Sequence, residues 1–153
     1  MIFYKNNYPK FICEFKDGIK NGKGKEYYPK DVLKYEGNFT NDLYNGEGKL
    51  IIEKGNYYQG QFKNGKKNGK GILFYQDKVL YEGNFIEDAI NGFGIYYYPN
   101  GVIYKGNFKD GKKNGDGKIL YYNNQKLIIR YDGMFKNDKK EGQGLFYFND
   151  GSR

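Results

Sequence analysis

The chain has 153 residues, a net charge of +8, no histidine and one cysteine. It therefore lacks the commonest acid–base residue and metal ligand, and it cannot form an intrachain disulfide or a thiolate zinc site. Mean hydropathy is -0.93 although 20% of the residues are aromatic, so aromatic side chains must supply most of the buried area.

The N-terminal segment, residues 1–10, carries Ile2 and Phe3 followed by Asn6 and Asn7, a pattern typical of one strand and one turn. This pattern predicts half of a structural unit or an N-terminal cap. The segment has no apolar core of the kind found in signal peptides, and no apolar run in the chain approaches membrane-spanning length. Together with the single cysteine, these features predict a soluble intracellular protein.

From residue 11 onward, one motif recurs along the chain. It consists of Tyr-x-Gly-x-Phe, a short polar segment, Asn-Gly-x-Gly, an aromatic run and a second turn, and all 23 glycines fall in its columns. A fixed period of this size indicates an array in which each unit packs against its neighbours. The opening aromatic residues are Phe11, Tyr35, Tyr58, Tyr81, Tyr104 and Tyr131. The predicted repeats of this single array, 1–153, are 11–34, 35–57, 58–80, 81–103, 104–130 and 131–153.

The motif resembles the MORN repeat family (membrane occupation and recognition nexus). The family unit combines Tyr-x-Gly-x-Trp/Phe with Gly-x-Gly and with an aromatic residue before an Asp/Asn-Gly turn, and the resemblance covers residues 11–153. The chain departs from this pattern at Cys13, which stands where the first copy should carry glycine. It also departs at three middle turns, which carry Asp42, Asp88 and Asp138 in place of glycine.

Each copy is predicted to form a β-hairpin. The first strand alternates with period two, so Tyr81 and Phe85 point to one face while Glu82 and Asn84 point to the other. The middle segment, such as residues 108–115, is rich in Gly, Asn and Asp and is predicted to be a turn. Because every connection is a hairpin, we predict an all-β fold. The resemblance implies an elongated, twisted single-layer antiparallel sheet of tandem hairpins, with a groove and no substantial helix.

Three aromatic columns are predicted to hold neighbouring copies together, because a lone hairpin is marginally stable in water. The first column contains the opening tyrosines. The second contains Phe15, Phe39, Phe62, Phe85, Phe108 and Phe135. The third contains Tyr28, Ile52, Tyr75, Tyr98, Tyr121 and Phe148.

The sequence offers little catalytic chemistry. Residues 22–24 and 69–71 read Gly-Lys-Gly, but they lack the Gly-x-x-x-x-Gly-Lys-Ser/Thr spacing of a phosphate-binding loop and any following helix. The carboxylates lie at turn or exposed strand positions at the spacing of the repeat. We therefore predict a protein that is not an enzyme, with no catalytic residues, no cofactor and no metal.

Lysine pairs occupy the same loop column in three copies. Stacked in register they would form a basic ridge that attracts acidic lipid headgroups or acidic protein segments. The alternative is a solvated edge that lysine protects against aggregation. Leu43–Tyr44 and Ala89–Ile90 interrupt the ridge in the second and fourth copies. The pairs are Lys66, Lys67, Lys112, Lys113, Lys139 and Lys140.

The centre of each second strand carries a residue that points away from its two neighbours in the strand. A single-layer sheet has two faces, and nothing in this chain can cover both, so one face is predicted to present an apolar groove. The alternative is a homodimer in which two strips stack. The row predicted to line the groove is Tyr27, Ile51, Phe74, Tyr97, Leu120 and Tyr147.

The resemblance implies an interaction scaffold, because MORN strips accept partner helices or other segments in cytoskeletal, ciliary and membrane-junction assemblies. An amphipathic helix or an acidic segment is the expected protein partner. The alternative is peripheral binding of anionic phospholipids, including phosphoinositides, as the family name implies. A third interpretation is the regulatory part of a larger enzyme. The aromatic residues are repeat-core positions, so we predict no nucleic acid partner. The expected localisation is cytoplasmic, with cytoskeletal, ciliary or peripheral-membrane association.

Overall fold

Short strands joined by hairpins make up the fold. The computed structural model describes residues 1–3, 9–123, 126–148 and 152, and every helix or strand element in these residues is a β-strand. The predicted all-β class is therefore confirmed. Part of the predicted N-terminal half unit, residues 4–8, lies outside the described residues.

The chain divides into two compact units, Met1–Lys78 and Val79–Arg153. In each unit, strands that follow one another along the chain pair as antiparallel neighbours, which confirms the predicted sheet of consecutive hairpins. The first unit contains β1 (Ile2–Phe3), β2 (Pro9–Lys16), β3 (Ile19–Tyr28), β4 (Val32–Thr40), β5 (Leu43–Glu53), β6 (Asn56–Lys63) and β7 (Lys66–Tyr75). The second contains β8 (Lys78–Ile86), β9 (Ala89–Tyr97), β10 (Ile103–Lys109), β11 (Lys112–Asn123), β12 (Lys126–Lys136) and β13 (Lys139–Phe146).

The turns inside the repeats are shorter than predicted. In the fifth repeat the turn consists of Asp110 and Gly111, whose φ values are 50° and 78°, and β11 begins at Lys112. Two residues with positive φ reverse the chain in the manner that suits the twist of antiparallel strands. The predicted turn over residues 108–115 is therefore wrong in length, because Asp and Gly tolerate this backbone and no longer loop is needed.

Aspartate at the middle turn connects neighbouring repeats. The Asp42 carboxylate accepts a 3.0 Å hydrogen bond from the backbone N–H of Lys20, and Asp138 accepts one of 2.9 Å from the N–H of Lys113. At the turn that carries Gly111, the glycine N–H donates a backbone bond to the carbonyl of Ile90, and the neighbouring Asp110 carboxylate accepts a 3.1 Å bond from the Asn91 side chain. Asp42 and Asp138 thus each accept a bond from the backbone of the preceding repeat, which glycine at this position cannot do.

The Gly-x-Gly pair has two separate structural roles. Residues 91–93 of β9 oppose the single residue Asn84 of β8, and Gly92 adopts φ of 82° within this bulge. Gly94 pairs with Gly83, and a Cβ built on Gly94 would approach the Cζ atom of Tyr81 within 2.5 Å. The first glycine therefore bends the strand, and the second leaves room for a tyrosine ring.

The opening tyrosine lies over this glycine pair. The Tyr81 hydroxyl donates a 3.1 Å hydrogen bond to the carbonyl oxygen of Asn84, three residues later. Four of these tyrosines have no exposed surface at all, although each unit is a single sheet. The same bond to the residue three positions later recurs in Tyr35, Tyr58, Tyr104 and Tyr131.

The first two aromatic columns form the core, and they interleave. Phe62 packs edge-on against Tyr58 of its own repeat and Tyr35 of the preceding one, with ring centroids 5.1 and 5.3 Å apart. In the second unit Phe108 contacts Tyr81 in the same way at 5.4 Å. Edge-to-face contact is the geometry that aromatic quadrupoles favour, so Phe62 and Phe108 each join two repeats.

The third predicted column is largely exposed, so its assignment to the core is wrong. Tyr28, Ile52, Tyr75 and Phe148 are 39%, 51%, 47% and 55% exposed. These residues lie at or beyond the strand ends, past the glycine pair on which the rings of neighbouring repeats interlock. Phe15 of the degenerate first copy is also partly exposed, at 37%.

Candidate partner-binding surface

Cross-strand register assigns the strand residues of each unit to one of two faces. Leu50 pairs with Tyr58, and Tyr58 pairs with Leu73, so these three residues share a face. We call the face that carries the opening tyrosines the core face, and the other the opposite face. The core face is closed by its own rings, because its tyrosines and most of its phenylalanines are buried.

In the first unit, the row predicted to line the groove lies on the opposite face. Ile51 pairs with Tyr57, and Tyr57 pairs with Phe74. The rings of Tyr57 and Phe74 stack with centroids 4.3 Å apart, and the Lys49 ammonium lies 3.9 Å from the Tyr57 ring centre. The predicted residues Tyr27, Ile51 and Phe74 are half-buried, so they remain accessible outside the core.

In the second unit the same row is more continuous. Tyr97, Ile103, Leu120 and Ile129 pair in sequence across four strands of the opposite face. Ile103 is only 9% exposed, while the other three are half-buried. Tyr147 is half-buried too, but it follows the end of β13, so strand pairing does not assign it to a face.

The opposite face of the second unit also exposes apolar side chains that sequence reasoning missed. Phe93 is 49% exposed and is the middle residue of Asn-Gly-x-Gly, where the other copies carry charged or amide side chains. Met134, 48% exposed, stands where four other copies carry asparagine or glutamine. Leu145 is 49% exposed. The change from a polar to an apolar residue at one position of the repeat is the sequence signal that would have identified Phe93 and Met134.

Paired charges lie beside the apolar rows of the opposite face. Lys25 and Glu36 form a 3.1 Å ion pair in the first unit, and Lys118 and Asp132 form one of 2.6 Å in the second. Hydrogen bonds to these carboxylates raise the pKa of both lysines. Exposed pairs of this kind contribute little to stability because water screens the charges, but they leave the face nearly neutral there.

The two lysines of each pair in the predicted ridge point in different directions, because the pairs lie at the starts of strands and not in loops. Lys113 points over the core, with its ammonium 5.6 Å from the Tyr104 ring centre and donating a 3.1 Å hydrogen bond to the Tyr98 hydroxyl. Its neighbour Lys112 is exposed. The same alternation places the ammonium groups of Lys67 and Lys140 near the rings of Tyr58 and Tyr131, at 5.9 and 4.8 Å.

The second copy, which interrupts the ridge, keeps a cover over the core through Tyr44. The Tyr44 ring stacks on Tyr35 with centroids 3.8 Å apart, and its hydroxyl donates a 2.9 Å hydrogen bond to Glu26. Burial and the nearby carboxylate raise the pKa of Tyr44. The column that contains Tyr44, Lys67, Lys113 and Lys140 is therefore a cover for the buried tyrosines in these repeats.

Replacing Lys113 by alanine is expected to lower the free energy of unfolding by about 1–2 kcal/mol, because it removes a cation over a ring and a hydrogen bond. Urea denaturation measures the change. The matched control is Lys112→Ala, which changes an exposed neighbour and is expected to have an effect within about 0.5 kcal/mol. Equal effects of the two substitutions would show that Lys113 does not cover the core.

The buried tyrosines predict a loss of stability in alkali. Burial raises the pKa of Tyr35 and Tyr81 from 10.0 to about 12. In the unfolded chain these phenols ionise near pH 10, so their contribution to stability is complete below pH 10 and is lost as the pH rises towards 12. The ultraviolet absorbance of tyrosinate will show a fraction that ionises only near pH 12. The control is the same titration of the chain unfolded in guanidinium. If all tyrosines of the folded chain ionise at the same pH as in the unfolded chain, the tyrosines are not buried.

Tandem antiparallel hairpins with a tyrosine over each glycine pair define an all-β repeat protein. The family model of the MORN repeat matches residues 14–31, 35–57, 58–78, 81–103, 104–126 and 131–153, so the chain belongs to the MORN repeat family. This confirms the resemblance, and the MORN repeat is a non-enzymatic repeat generally associated with proteins or membranes. No relative was found among curated proteins. Within the described residues, no helix is long and apolar enough to cross a membrane.

Proposed function

We propose that this protein is a non-enzymatic interaction scaffold that binds a helix or another segment of a partner protein on the opposite face. The observation that carries the proposal is the row of half-buried apolar residues that each unit presents there. The core face is closed by its own rings, whereas no second layer covers the opposite face among the described residues of either unit. Accessible apolar rows of this kind are typical of binding surfaces.

The spacing of the row suits an amphipathic helix that lies across the strands. Two strands at about 4.8 Å make each repeat about 10 Å wide, and a helix rises about 5.4 Å per turn. Two helical turns therefore span one repeat, and anchors on one side of the helix meet successive row residues such as Ile51 and Phe74 in the first unit. The row in the second unit, with Tyr97 and Leu120, has the same periodicity.

The charge of the protein favours an acidic partner. The net charge is +8, and Lys66, Lys112 and Lys139 are exposed at the beginnings of their strands. A partner with acidic residues beside its apolar anchors would associate with this positive surface faster than a partner with neutral residues there. Cytoskeletal, ciliary and membrane-associated assemblies are the settings we propose for such a scaffold.

Binding of anionic phospholipid is the second candidate function. In the second unit Lys109, Lys112 and Lys136 line an open cleft of about 690 Å³ between the turns of two repeats. Lys136 is paired with Glu141 at 3.3 Å. Asp110 and Glu141 also line the cleft, so its described residues carry one net positive charge. This excess favours a phosphorylated headgroup, and such binding weakens as salt screens the charges.

The experiment that tests the proposal separates protein from lipid. Affinity capture with the full chain from source cells, followed by reconstitution with the recovered protein, is expected to give a direct complex at physiological salt. In parallel, vesicle flotation with phosphatidylserine or phosphoinositide is measured at low and physiological salt. Vesicle binding that Lys112→Ser and Lys136→Ser abolish, without any direct protein complex, would favour the lipid function and overturn the scaffold.

A further inference from the structure

Two repeats carry a basic residue at the same β-bulge. In the first unit Tyr27 pairs with Leu33 and Glu26 pairs with Tyr35, so Lys34 is the extra residue of β4. In the second unit Leu120 pairs with Ile129 and Ile119 pairs with Tyr131, so Arg130 is the extra residue of β12. A bulge redirects the side chain of its extra residue, and the two positions are equivalent in the repeat.

The two cations occupy the same place relative to a tyrosine ring. The Lys34 ammonium lies 5.7 Å from the centre of the Tyr28 ring. The guanidinium carbon of Arg130 lies 5.9 Å from the centre of the Tyr121 ring, and Tyr121 is the repeat equivalent of Tyr28. The surroundings of the two cations can therefore be compared residue by residue.

The comparison shows one missing carboxylate. Lys34 forms a 2.7 Å ion pair with Glu26, whose side chain is only 14% exposed. The residue equivalent to Glu26 beside Arg130 is Ile119, an apolar side chain. Arg130 has no ion-pair partner among the described residues. The second unit thus keeps the cation and the ring but lacks the anion.

An open cavity lies where that anion is missing. Its volume is about 520 Å³, which is large enough for an amino-acid side chain and its neighbour. Among its described lining residues one is charged and none is acidic. These residues are Asn100, Gly101, Val102, Ile119, Tyr121, Tyr122 and Arg130.

We propose that this cavity binds a carboxylate beside an apolar group, with Arg130 as the ion-pair partner. The carboxylate is an acidic side chain or the C-terminal carboxylate of a protein segment, and the proposal therefore rests on the interaction-scaffold function. Arginine suits this task because its planar guanidinium holds a carboxylate through two parallel hydrogen bonds. The 26 basic residues include only two arginines, Arg130 and Arg153.

The site favours a carboxylate over a phosphate monoester for two reasons. The described lining residues supply one positive charge, which matches a monoanion, whereas a phosphate monoester carries close to two negative charges at neutral pH. The equivalent place in the first unit already holds a carboxylate, that of Glu26. The apolar lining from Val102, Ile119 and Tyr122 suits an apolar group next to the charge.

N-acetyl-phenylalanine is the probe, and N-acetyl-phenylalanine amide is its uncharged match. In two-dimensional NMR of the full ¹⁵N-labelled chain, the acid is expected to shift the Nε–Hε signal of Arg130 and the amide signals of Val102 and Tyr121. The amide form is expected to leave the Arg130 signal in place. Arg130→Gln is expected to lower the affinity for the acid by about tenfold or more, because it removes the only positive charge among the described lining residues.

Two further variants use the equivalent site as a control. Ile119→Glu restores the arrangement of the first unit. The new carboxylate is expected to form an ion pair with Arg130 and to lower the probe affinity as much as Arg130→Gln does. Lys34→Gln changes the closed site and is expected to leave probe binding unchanged. Circular dichroism melting of each variant establishes that the fold is retained.

Three results would overturn the proposal. They are an Arg130 signal that the acid does not shift, an affinity that Arg130→Gln leaves unchanged, and tighter binding of phenyl phosphate than of the acid. A negative probe result together with intact partner binding on the opposite face removes the Arg130 site alone. If the probe binds specifically but no partner protein forms a complex with the chain, the scaffold function is excluded and the carboxylate site remains.

Discussion

Gly83→Val is expected to lower the free energy of unfolding by about 3 kcal/mol or more, a large fraction of the stability of an ordinary domain. A Cβ at this position would meet the Tyr81 hydroxyl and would approach the Cα of Gly94 within 2.6 Å. The Tyr81 ring is fully buried, and its displacement would also break its hydrogen bond to Asn84. Urea denaturation followed by circular dichroism measures the loss.

Lys105→Val is the matched control for this substitution. Lys105 lies one residue before the equivalent glycine of the next repeat, in the strand and on the exposed opposite face. A branched side chain there touches no buried ring, and the expected change is within about 0.5 kcal/mol. If Gly83→Val unfolds at the same urea concentration as the wild type, the ring does not occupy the space above the glycine pair.

Charging the apolar row is expected to weaken partner binding about 30-fold or more, the loss that corresponds to removing one central anchor of an interface. Phe74→Glu tests the row in the first unit and Tyr97→Glu tests it in the second. A carboxylate in the interface would be desolvated without a cation beside it, whereas in the free chain these half-buried positions reach water. Calorimetric titration with the reconstituted partner measures the affinity, and circular dichroism follows the fold.

Tyr75→Glu provides the control, because it places the same charge on an exposed aromatic residue next to Phe74. Tyr75 is 47% exposed at the end of β7, outside the row, and its substitution is expected to leave the affinity unchanged. If Phe74→Glu and Tyr97→Glu unfold the chain, the row belongs to the core. If they fold and bind with wild-type affinity, the partner uses another surface.

The repeat motif was sufficient to predict the fold because its recurring spacing of aromatic residues and glycines fits only one strand pattern. Alternation in Tyr81-x-Gly83-x-Phe85 places ring, glycine and ring on one face, and the structure keeps that order. What the motif did not reveal is how the columns interlock. The contact of Phe62 with Tyr35 joins different repeats, and its distance depends on backbone twist, which residue spacing alone does not encode.

The turn length was mispredicted, and this error changed the interpretation of the lysines. Composition marks residues 108–115 as polar, but a two-residue turn at Asp110 and Gly111 is enough, so Lys112 and Lys113 begin a strand. Strand alternation then sends one lysine over Tyr104 and the other into solvent. A ridge of equivalent lysines would have required a loop.

The candidate sites were only partly accessible from the sequence. The apolar row follows from parity along the second strands, and the structure places its strand residues on the opposite face. Phe93 and Met134 needed a column-by-column comparison for polar-to-apolar changes. The Arg130 site depends on a bulge that sets Arg130 beside Ile119, and no residue spacing indicates where a bulge falls.

Hydroxyl-radical footprinting of the reconstituted complex, read residue by residue by mass spectrometry, tests the central claim most directly. The partner is expected to protect side chains of the opposite face, including Phe74 in the first unit and Tyr97 and Phe93 in the second. Tyr75, at the end of its strand, is predicted to react equally with and without the partner. Protection confined to the lysine-lined cleft, with the row as reactive in the complex as in the free chain, would show that the partner does not bind the opposite face.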